Sequence, residues 1–110
     1  MSIRTPICDT LGIEHPIILG GMMGISDGIL TAAVSNAGGL GTLSSATFGV
    51  DGTREQMTKL NELTDKPYSV NLPLFHPMVP DLIKLLPEYN VKIVTTSAGN
   101  PAKYVGILKE

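Results

Sequence analysis

The chain has 110 residues, of which 43% are hydrophobic and 16% are charged, and its net charge at pH 7 is −2. These proportions are typical of a globular domain and exclude an intrinsically disordered chain. The absence of any lysine- or arginine-rich stretch argues against a nucleic-acid partner. No apolar run approaches the roughly 18 residues of a membrane helix, and the first residues lack the apolar stretch of a signal peptide. We therefore expect a cytoplasmic protein.

The segment 16–45 has the pattern of a strand, a loop, a helix and a second strand. The apolar run 17–19 predicts a buried strand, which a glycine pair ends. Ser26 or Asp27 is placed to cap the helix that follows. The apolar residues of this helix recur at helical spacing and predict one buried stripe, made of Ile29, Leu30, Ala33, Val34 and Ala37.

The helix is predicted to end at Gly38 and Gly39, because glycine adopts the left-handed conformation without steric cost. A second buried strand begins in the run 40–43. A strand, a helix and a second strand in this order form a βαβ unit, in which the two strands are parallel. The segment 16–45 therefore predicts an α/β fold.

The loop after the first predicted strand has the composition of a ligand-binding turn. Gly20, Gly21 and Gly24 surround Met22 and Met23 at the carboxyl end of the strand, where α/β folds place ligands. A glycine backbone can approach a planar ring or a phosphate closely, and methionine packs softly against such a ring. A glycine-rich turn alone is a weak signal. The same residues also fit a tight turn whose methionines fill core space.

Three further units are predicted downstream. The segment 44–49 is predicted to be a polar loop, and Thr53 opens a capping box at the start of a helix. Met57, Leu60 and Leu63 are predicted to face inward from this helix. The later strands are predicted at 68–72 and 91–96. The later helices are predicted from Pro80 to about Leu86, where Pro87 interrupts, and over 102–108 with Asn100 as the cap.

Asn71 lies in an otherwise apolar predicted strand, where a buried amide must find hydrogen bonds. Its partner is either the backbone of a neighbouring strand or a ligand. His15 precedes a proline at the amino end of the first strand and is expected to be structural. His76 follows the third strand and is expected to be an exposed loop residue. Cys8 is expected to be a partly buried thiol in a reducing compartment.

Three sequence runs together resemble the start of the nitronate monooxygenase (2-nitropropane dioxygenase-like) family. They are His15-Pro16-Ile17-Ile18, Gly20-Gly21-Met22 and the run 32–41, Ala-Ala-Val-Ser-Asn-Ala-Gly-Gly-Leu-Gly. Members of this family are FMN-dependent TIM-barrel oxidoreductases. The same pattern occurs in FMN-dependent enoyl-acyl-carrier-protein reductases and NADH:quinone reductases. The resemblance implies that residues 1–110 are one partial barrel, the N-terminal half of a TIM (β/α)8 barrel with about four parallel β/α units.

The resemblance also implies a cofactor site. Gly21, Met22 and Met23 would lie against the isoalloxazine ring of FMN, and Asn71 would bond to it. The implied reaction is oxidation of a nitronate with O2. The alternatives are reduction of an enoyl thioester with NAD(P)H, whose branch the run 94–101 resembles, and reduction of a quinone. The catalytic histidine of the family lies in a later Gly-His motif that this chain lacks, so His76 is not equated with it.

The chain is short for this fold, since a TIM barrel takes about 250 residues. We therefore expect an incomplete barrel, with the catalytic base and the phosphate anchor in the missing half. Four parallel strands leave open edges, which predicts self-association or pairing with a complementary half-barrel. The sequence shows no metal-ligand spacing and no Ser-His-Asp or paired-carboxylate arrangement, so no metal is predicted and the catalytic residues stay unassigned. The non-enzymatic alternative is a half-barrel fragment that binds no cofactor.

Overall fold

The computed structural model describes residues 3–109, so the two residues at the amino end and Glu110 lie outside the described part of the chain. The predictions made for the very start and the very end of the sequence therefore lie partly outside it. The elements in chain order are α1 (Pro6–Leu11), α2 (Gly28–Asn36), β1 (Gly41–Ser44), α3 (Ser45–Leu63), β2 (Tyr68–Pro73), α4 (Val79–Leu85), a 3-10 helix (Leu86–Tyr89), β3 (Ile93–Ser97) and α5 (Ala102–Leu108).

The three strands form a parallel sheet in the order β1-β2-β3. Ser44 of β1 is level with Asn71 of β2, and Asn71 is level with Thr95 of β3. Because the strands run in the same direction, their carboxyl ends meet at one edge of the sheet. The predicted α/β architecture with parallel strands is confirmed.

The two faces of the sheet differ in chemistry, as alternation along each strand requires. One face carries Leu43, Val70 and Leu72, which are buried in the main core. The opposite face carries hydroxyl and amide groups, including Thr42 and Ser69, whose hydroxyl oxygens lie 2.6 Å apart. Helical residues complete the main core; they are Ala32, Met57, Leu60, Val79, Leu82, Ile83, Leu85 and Tyr104, with Leu86 of the 3-10 helix.

The prediction of a buried strand at 17–19 is wrong. Ile18 makes one isolated parallel bridge, to Leu40, and Ile17 and Ile18 are 63% and 48% exposed. The Leu40 N–H donates to the Ile17 carbonyl at 2.9 Å, so the segment does follow β1 in the predicted parallel direction. Within residues 3–109 no further strand pairs with its outer side. Because this segment has a neighbouring strand on one side only, its isoleucines stay exposed.

The buried face of α2 also differs from the predicted apolar stripe. Ile29 is 61% exposed, and the buried positions are the small or polar residues Gly28, Thr31, Ala32 and Ser35. The reason is the close approach of α2 to β1, since a Cβ at Gly41 would lie 2.0 Å from the Thr31 carbonyl oxygen. At that separation only small side chains fit between helix and strand. The predicted cap is confirmed at Asp27, whose carboxylate accepts from the Leu30 N–H at 2.9 Å.

The predicted polar loop over 44–49 is wrong, because α3 begins at Ser45. Gly49, at φ 69°, breaks the helical geometry once and divides α3 into two pieces. Thr53 lies within the helix and is fully buried, and its hydroxyl donates to the Ser45 carbonyl at 3.5 Å instead of capping a helix start. Leu63 is 47% exposed, whereas the other two residues of its predicted inward line are buried.

The remaining predicted helices and strands differ less from those of the structure. The third predicted strand and the helix after it are confirmed as β2 and α4, and α4 gives way to a 3-10 helix at Leu86, next to Pro87. The fourth predicted strand begins two residues later, at Ile93. The Asn100 Oδ1 accepts from the Ala102 N–H at 3.0 Å, but α5 begins at Ala102 with Pro101 at its N-cap, one residue later than predicted. The N-terminal segment contains an unpredicted helix, α1, which buries Cys8 completely and not partly.

Replacing Gly41 by alanine is expected to destabilise the fold, because the new methyl group meets the backbone of α2 at 2.0 Å. Overpacking of this kind costs about 1–3 kcal/mol or more. Gly106 is a matched control inside α5, because a Cβ at this position would have nothing within 4 Å. Gly106→Ala should stabilise by about 0.5–1 kcal/mol through helix propensity. Denaturant unfolding of both variants checks the prediction, and equal stabilities would contradict it.

Burial raises the pKa of Tyr68 from its ordinary value of 10 to about 12, with a further contribution from the charge of ionised Tyr89. The unfolded chain loses this proton near pH 10, while the folded chain keeps it to about pH 12, so the free energy of unfolding should fall as the pH rises between these values. Denaturant unfolding below pH 10 and near pH 12 measures the loss. Tyr68→Phe should show a smaller loss, and an unchanged loss would refute the assignment.

Candidate functional site

The carboxyl ends of the strands form one edge of the molecule, here called the carboxyl edge. It consists of three parts. The first is residues 20–25, here called the corner, which follow the isolated bridge between Ile18 and Leu40. The others are the β1–α3 junction at Ser44 and Ser45 and the last residues of β2 and β3. Parallel α/β folds bind ligands at such an edge, because loops from several strands converge there. The predicted site residues Gly21, Met22 and Met23 lie in this corner.

Buried Ser26 holds the corner in shape. Its hydroxyl accepts from the Met22 N–H at 2.9 Å and donates to the Gly20 carbonyl at 3.1 Å. The tip of the corner is held from α3, where Thr47 Oγ1 accepts from the Gly24 N–H at 2.7 Å. Gly24 has φ 79°, a conformation that side chains other than glycine rarely adopt. The corner is therefore a defined turn.

The methionines of the corner are not core residues. Met22 is 41% exposed and Met23 is 67% exposed, so the interpretation in which they fill core space is wrong. Within residues 3–109, the backbone N–H groups of Gly20, Gly21 and Met23 donate no hydrogen bond. The corner therefore offers unused donors and two exposed thioether side chains together.

Asn71 is 9% exposed, and both ends of its carboxamide are bonded. Its Oδ1 accepts from the Thr95 hydroxyl at 2.9 Å, and its Nδ2 donates to Ser97 Oγ at 3.1 Å. Its backbone carbonyl accepts from the Ser45 hydroxyl at 2.6 Å. The Asn71 carboxamide thus bonds to side chains of the neighbouring strand and not to that strand's backbone. One N–H of the carboxamide has no acceptor within residues 3–109.

The corner and Asn71 are in contact. A Cβ built on Gly21 would lie 2.8 Å from the Asn71 Cβ and 3.1 Å from its Cγ. The position must therefore be glycine for the corner to pass over the asparagine. Two residues that are 50 positions apart in the sequence meet at the carboxyl edge, and the exposed methionines follow directly.

The two histidines take different places. His76 lies in the predicted loop after β2, but it is half-buried and not exposed, and its Nδ1 accepts from the Met78 N–H at 3.2 Å. His15 lies near the amino edge, where its backbone N–H donates to the Gly38 carbonyl at 2.9 Å. Its ring is 3.8 Å from the Glu14 carboxylate. The structural role expected for His15 stays a prediction.

Two clefts, of about 400 and 450 Å³, open at the amino ends of the strands, opposite the corner. Tyr68 and Lys92 line the first, and Gly38 and Gly39 line the second. This edge of an α/β sheet contributes to stability more than to ligand binding. Among residues 3–109 there is no group of three or more side chains suited to a metal ion. Over the same range, every helix is too short or too polar to cross a membrane.

Besides Thr47, which holds the tip of the corner, four hydroxyl residues of the site have roles that the sequence does not assign. The sequence predicts Ser26 only as a helix cap, although it organises the corner. The others are Ser45, Thr95 and Ser97, which bond to Asn71 from two neighbouring elements. The sequence signal available for Thr95 and Ser97 is strand alternation, because every second residue of a strand points to the same face of the sheet. Its use requires the register, which the sequence does not reveal.

The family model of nitronate monooxygenase matches residues 4–108. The chain therefore belongs to the nitronate monooxygenase family, whose members are in general flavin-dependent enzymes with small-molecule substrates. Its similarity extends to FabK from Thermotoga maritima, with a TM-score of 0.93 and 45% identity over 98% of this chain and 35% of that one. This match confirms the predicted TIM-barrel fold class over a partial chain.

Two curated relatives show the breadth of the family. A "(3aS,4S,5R,7aS)-5-hydroxy-7a-methyl-1-oxo-octahydro-1H-indene-4-carboxyl-CoA dehydrogenase" of Mycobacterium tuberculosis is 34% identical over all of this chain and 31% of its own length. A nitronate monooxygenase of Paraburkholderia phytofirmans is 47% identical over 56% of this chain and 17% of its own length. The chain thus spans about a third or less of the length of these relatives.

Gly21→Ala is expected to separate the corner from Asn71, because the new methyl group would lie 2.8 Å from a side-chain carbon that cannot rotate away. We expect a loss of about 1–3 kcal/mol in the free energy of unfolding. Gly20→Ala is the matched control one residue earlier, since a Cβ at Gly20 would have nothing within 4 Å. Chemical denaturation measures both variants, and a Gly21→Ala protein as stable as Gly20→Ala would contradict the contact.

Proposed function

We propose that this chain forms the N-terminal, FMN-binding part of an oxidoreductase barrel, and that the full catalytic unit oxidises a nitronate with O2. The observation that carries the proposal is the exposed corner in contact with Asn71. It presents unused backbone donors, two thioether side chains and a buried carboxamide at one edge. Membership of a flavin-dependent family supports a flavin as the ligand.

The residues present fit a flavin. Its ring is planar and apolar along the benzenoid part, and its pyrimidine edge carries carbonyl oxygens that accept hydrogen bonds. The N–H groups of Gly21 and Met23 and the free N–H of Asn71 would supply donors to that edge. Met22 and Met23 would cover the ring and exclude water, since thioethers pack softly against aromatic systems. When bound, FMN would supply the electron-transfer chemistry, which the surrounding donors tune.

The phosphate of FMN needs a separate anchor. The glycines at 39 and 41 follow α2 and pack against neighbouring backbone, because a Cβ at either would lie within 3 Å of a carbonyl oxygen. They are therefore unsuited to hold a phosphate. TIM barrels usually bind phosphate at the loops after strands seven and eight. We propose that this anchor and the catalytic base come from the part of the barrel that the relatives have and this chain does not span.

The second candidate function is reduction of an enoyl thioester with NAD(P)H. It is supported by the run 94–101, Val-Thr-Thr-Ser-Ala-Gly-Asn-Pro, which resembles the acyl-carrier-protein reductase branch. The 45% identity to FabK and the thioester named for the Mycobacterium tuberculosis relative favour it further. Nitronate oxidation is favoured by the family model and by the Paraburkholderia phytofirmans relative. Quinone reduction has no comparable support.

The cofactor proposal predicts that the purified chain binds FMN near one-to-one and quenches its fluorescence. Asn71→Ala should weaken binding about tenfold, because it removes a hydrogen-bond donor from the site. Asn61→Ala is the control, since Asn61 is exposed and bonds to Tyr68 near the opposite edge. Circular dichroism must show that both variants fold. Protein that stays colourless with excess FMN would overturn the proposal and favour the non-catalytic half-barrel.

The two reactions can be distinguished in FMN-loaded protein without turnover. Loss of the flavin absorbance when an alkyl nitronate is added in the absence of O2 supports nitronate oxidation. Loss of the absorbance on adding NAD(P)H, followed by its return with an enoyl thioester, supports the second candidate. Binding of FMN with no response to any of these compounds would reject both reactions for the isolated chain.

A further inference from the structure

We propose that Thr95 and Ser97 are positioning residues, which hold the Asn71 carboxamide in the orientation that a flavin requires. The inference rests on the proposed FMN site and adds two residues to it. Neither residue stands out in the sequence, because hydroxyl side chains in a strand are common. Their role follows from the hydrogen bonds around Asn71.

The register of the sheet places both hydroxyls on the strand next to Asn71, within reach of its carboxamide. Thr95 is level with Asn71, and Ser97 is level with the residue two positions further along β2. Because alternate residues of a strand share a face, positions 95 and 97 both lie on the face of Asn71. Thr95 bonds to Oδ1 at 2.9 Å and Ser97 bonds to Nδ2 at 3.1 Å. Each polar atom of the carboxamide therefore has its own partner on β3.

A carboxamide rotates easily about its last torsion, whose preferences are broad. Two hydrogen bonds from one strand fix its plane, and the Gly21 backbone closes on the side-chain carbons from the other side. What is left for a ligand is the remaining N–H of Nδ2. Without the two hydroxyls, the amide would have to be ordered when the ligand binds, and this ordering would weaken the affinity.

The exposure of the two hydroxyls favours a binding role over a folding role. Thr95 is half-buried and Ser97 is exposed, so water can replace either hydroxyl bond in the folded protein at little cost. The fully buried hydroxyl pair of Thr42 and Ser69 makes no hydrogen bond to the amide. The loss of the β3 hydroxyls should therefore act on FMN affinity more than on stability.

The experiment uses Thr95→Val, Ser97→Ala and their combination, with Thr95→Ser as the conservative rescue. Thr96→Val is the control, because Thr96 points to the other face of the same strand. FMN affinity is measured by fluorescence quenching, and the orientation of the amide by the side-chain N–H2 resonances of Asn71 in the FMN-free protein. We expect about 2- to 10-fold weaker binding for each single variant and a larger loss for the pair.

The expected pattern also includes shifted Asn71 side-chain resonances in Thr95→Val, near-normal behaviour in Thr95→Ser and no change in Thr96→Val. Unchanged FMN affinity and unchanged resonances in the double variant would overturn the positioning role while leaving the FMN site intact. Absence of FMN binding by the unaltered chain would overturn the proposed function and the flavin-directed role together. If Thr95→Val does not fold, Ser97→Ala provides the same test at an exposed position.

Discussion

The parallel register of β1, β2 and β3 is the constraint on which the other features depend. It brings Ser44, Asn71 and Thr95 to one level and collects every strand end at the carboxyl edge. Each strand is joined to the next by a helix on the apolar face, so that face forms the core. The other face is left with hydroxyl and amide groups. A shift of one residue along β2 would exchange the two faces and would remove Asn71 from the site.

The corner is tied to this register through α2 and β1. The α2 backbone approaches β1 so closely that Gly41 has no room for a side chain, and its N–H donates to the Ser35 hydroxyl at 3.0 Å. At the other end of β1, the Ser44 N–H donates to the Ser26 carbonyl at 3.0 Å. Small and polar contacts therefore place the corner beside the end of the sheet. The exposed isoleucines and methionines around it take no part in this packing.

The chemistry of the site comes from residues that cooperate across three strand ends. Gly21 matters here mainly because its missing side chain leaves room for Asn71, which differs from the sequence argument that a glycine approaches a ring. The carboxamide is held by two hydroxyls and by the corner, and it retains one donor. Such an arrangement is preorganised, so a planar ligand with acceptor atoms would bind without first ordering the protein. The chain spans about a third of the length of these relatives.

The sequence alone determined the α/β class, the parallel direction of the strands and the two candidate segments at Gly21–Met23 and Asn71, because glycine pairs, helix caps and an amide in an apolar strand are local signals. It misplaced the apolar stripe of α2 and the loop over 44–49, since burial there depends on how closely a helix approaches a strand. Only the tertiary structure decided that Thr95 and Ser97 flank Asn71 and that Gly21 contacts it. Those contacts join residues 24 to 50 positions apart, and their existence depends on strand register, which no local pattern encodes.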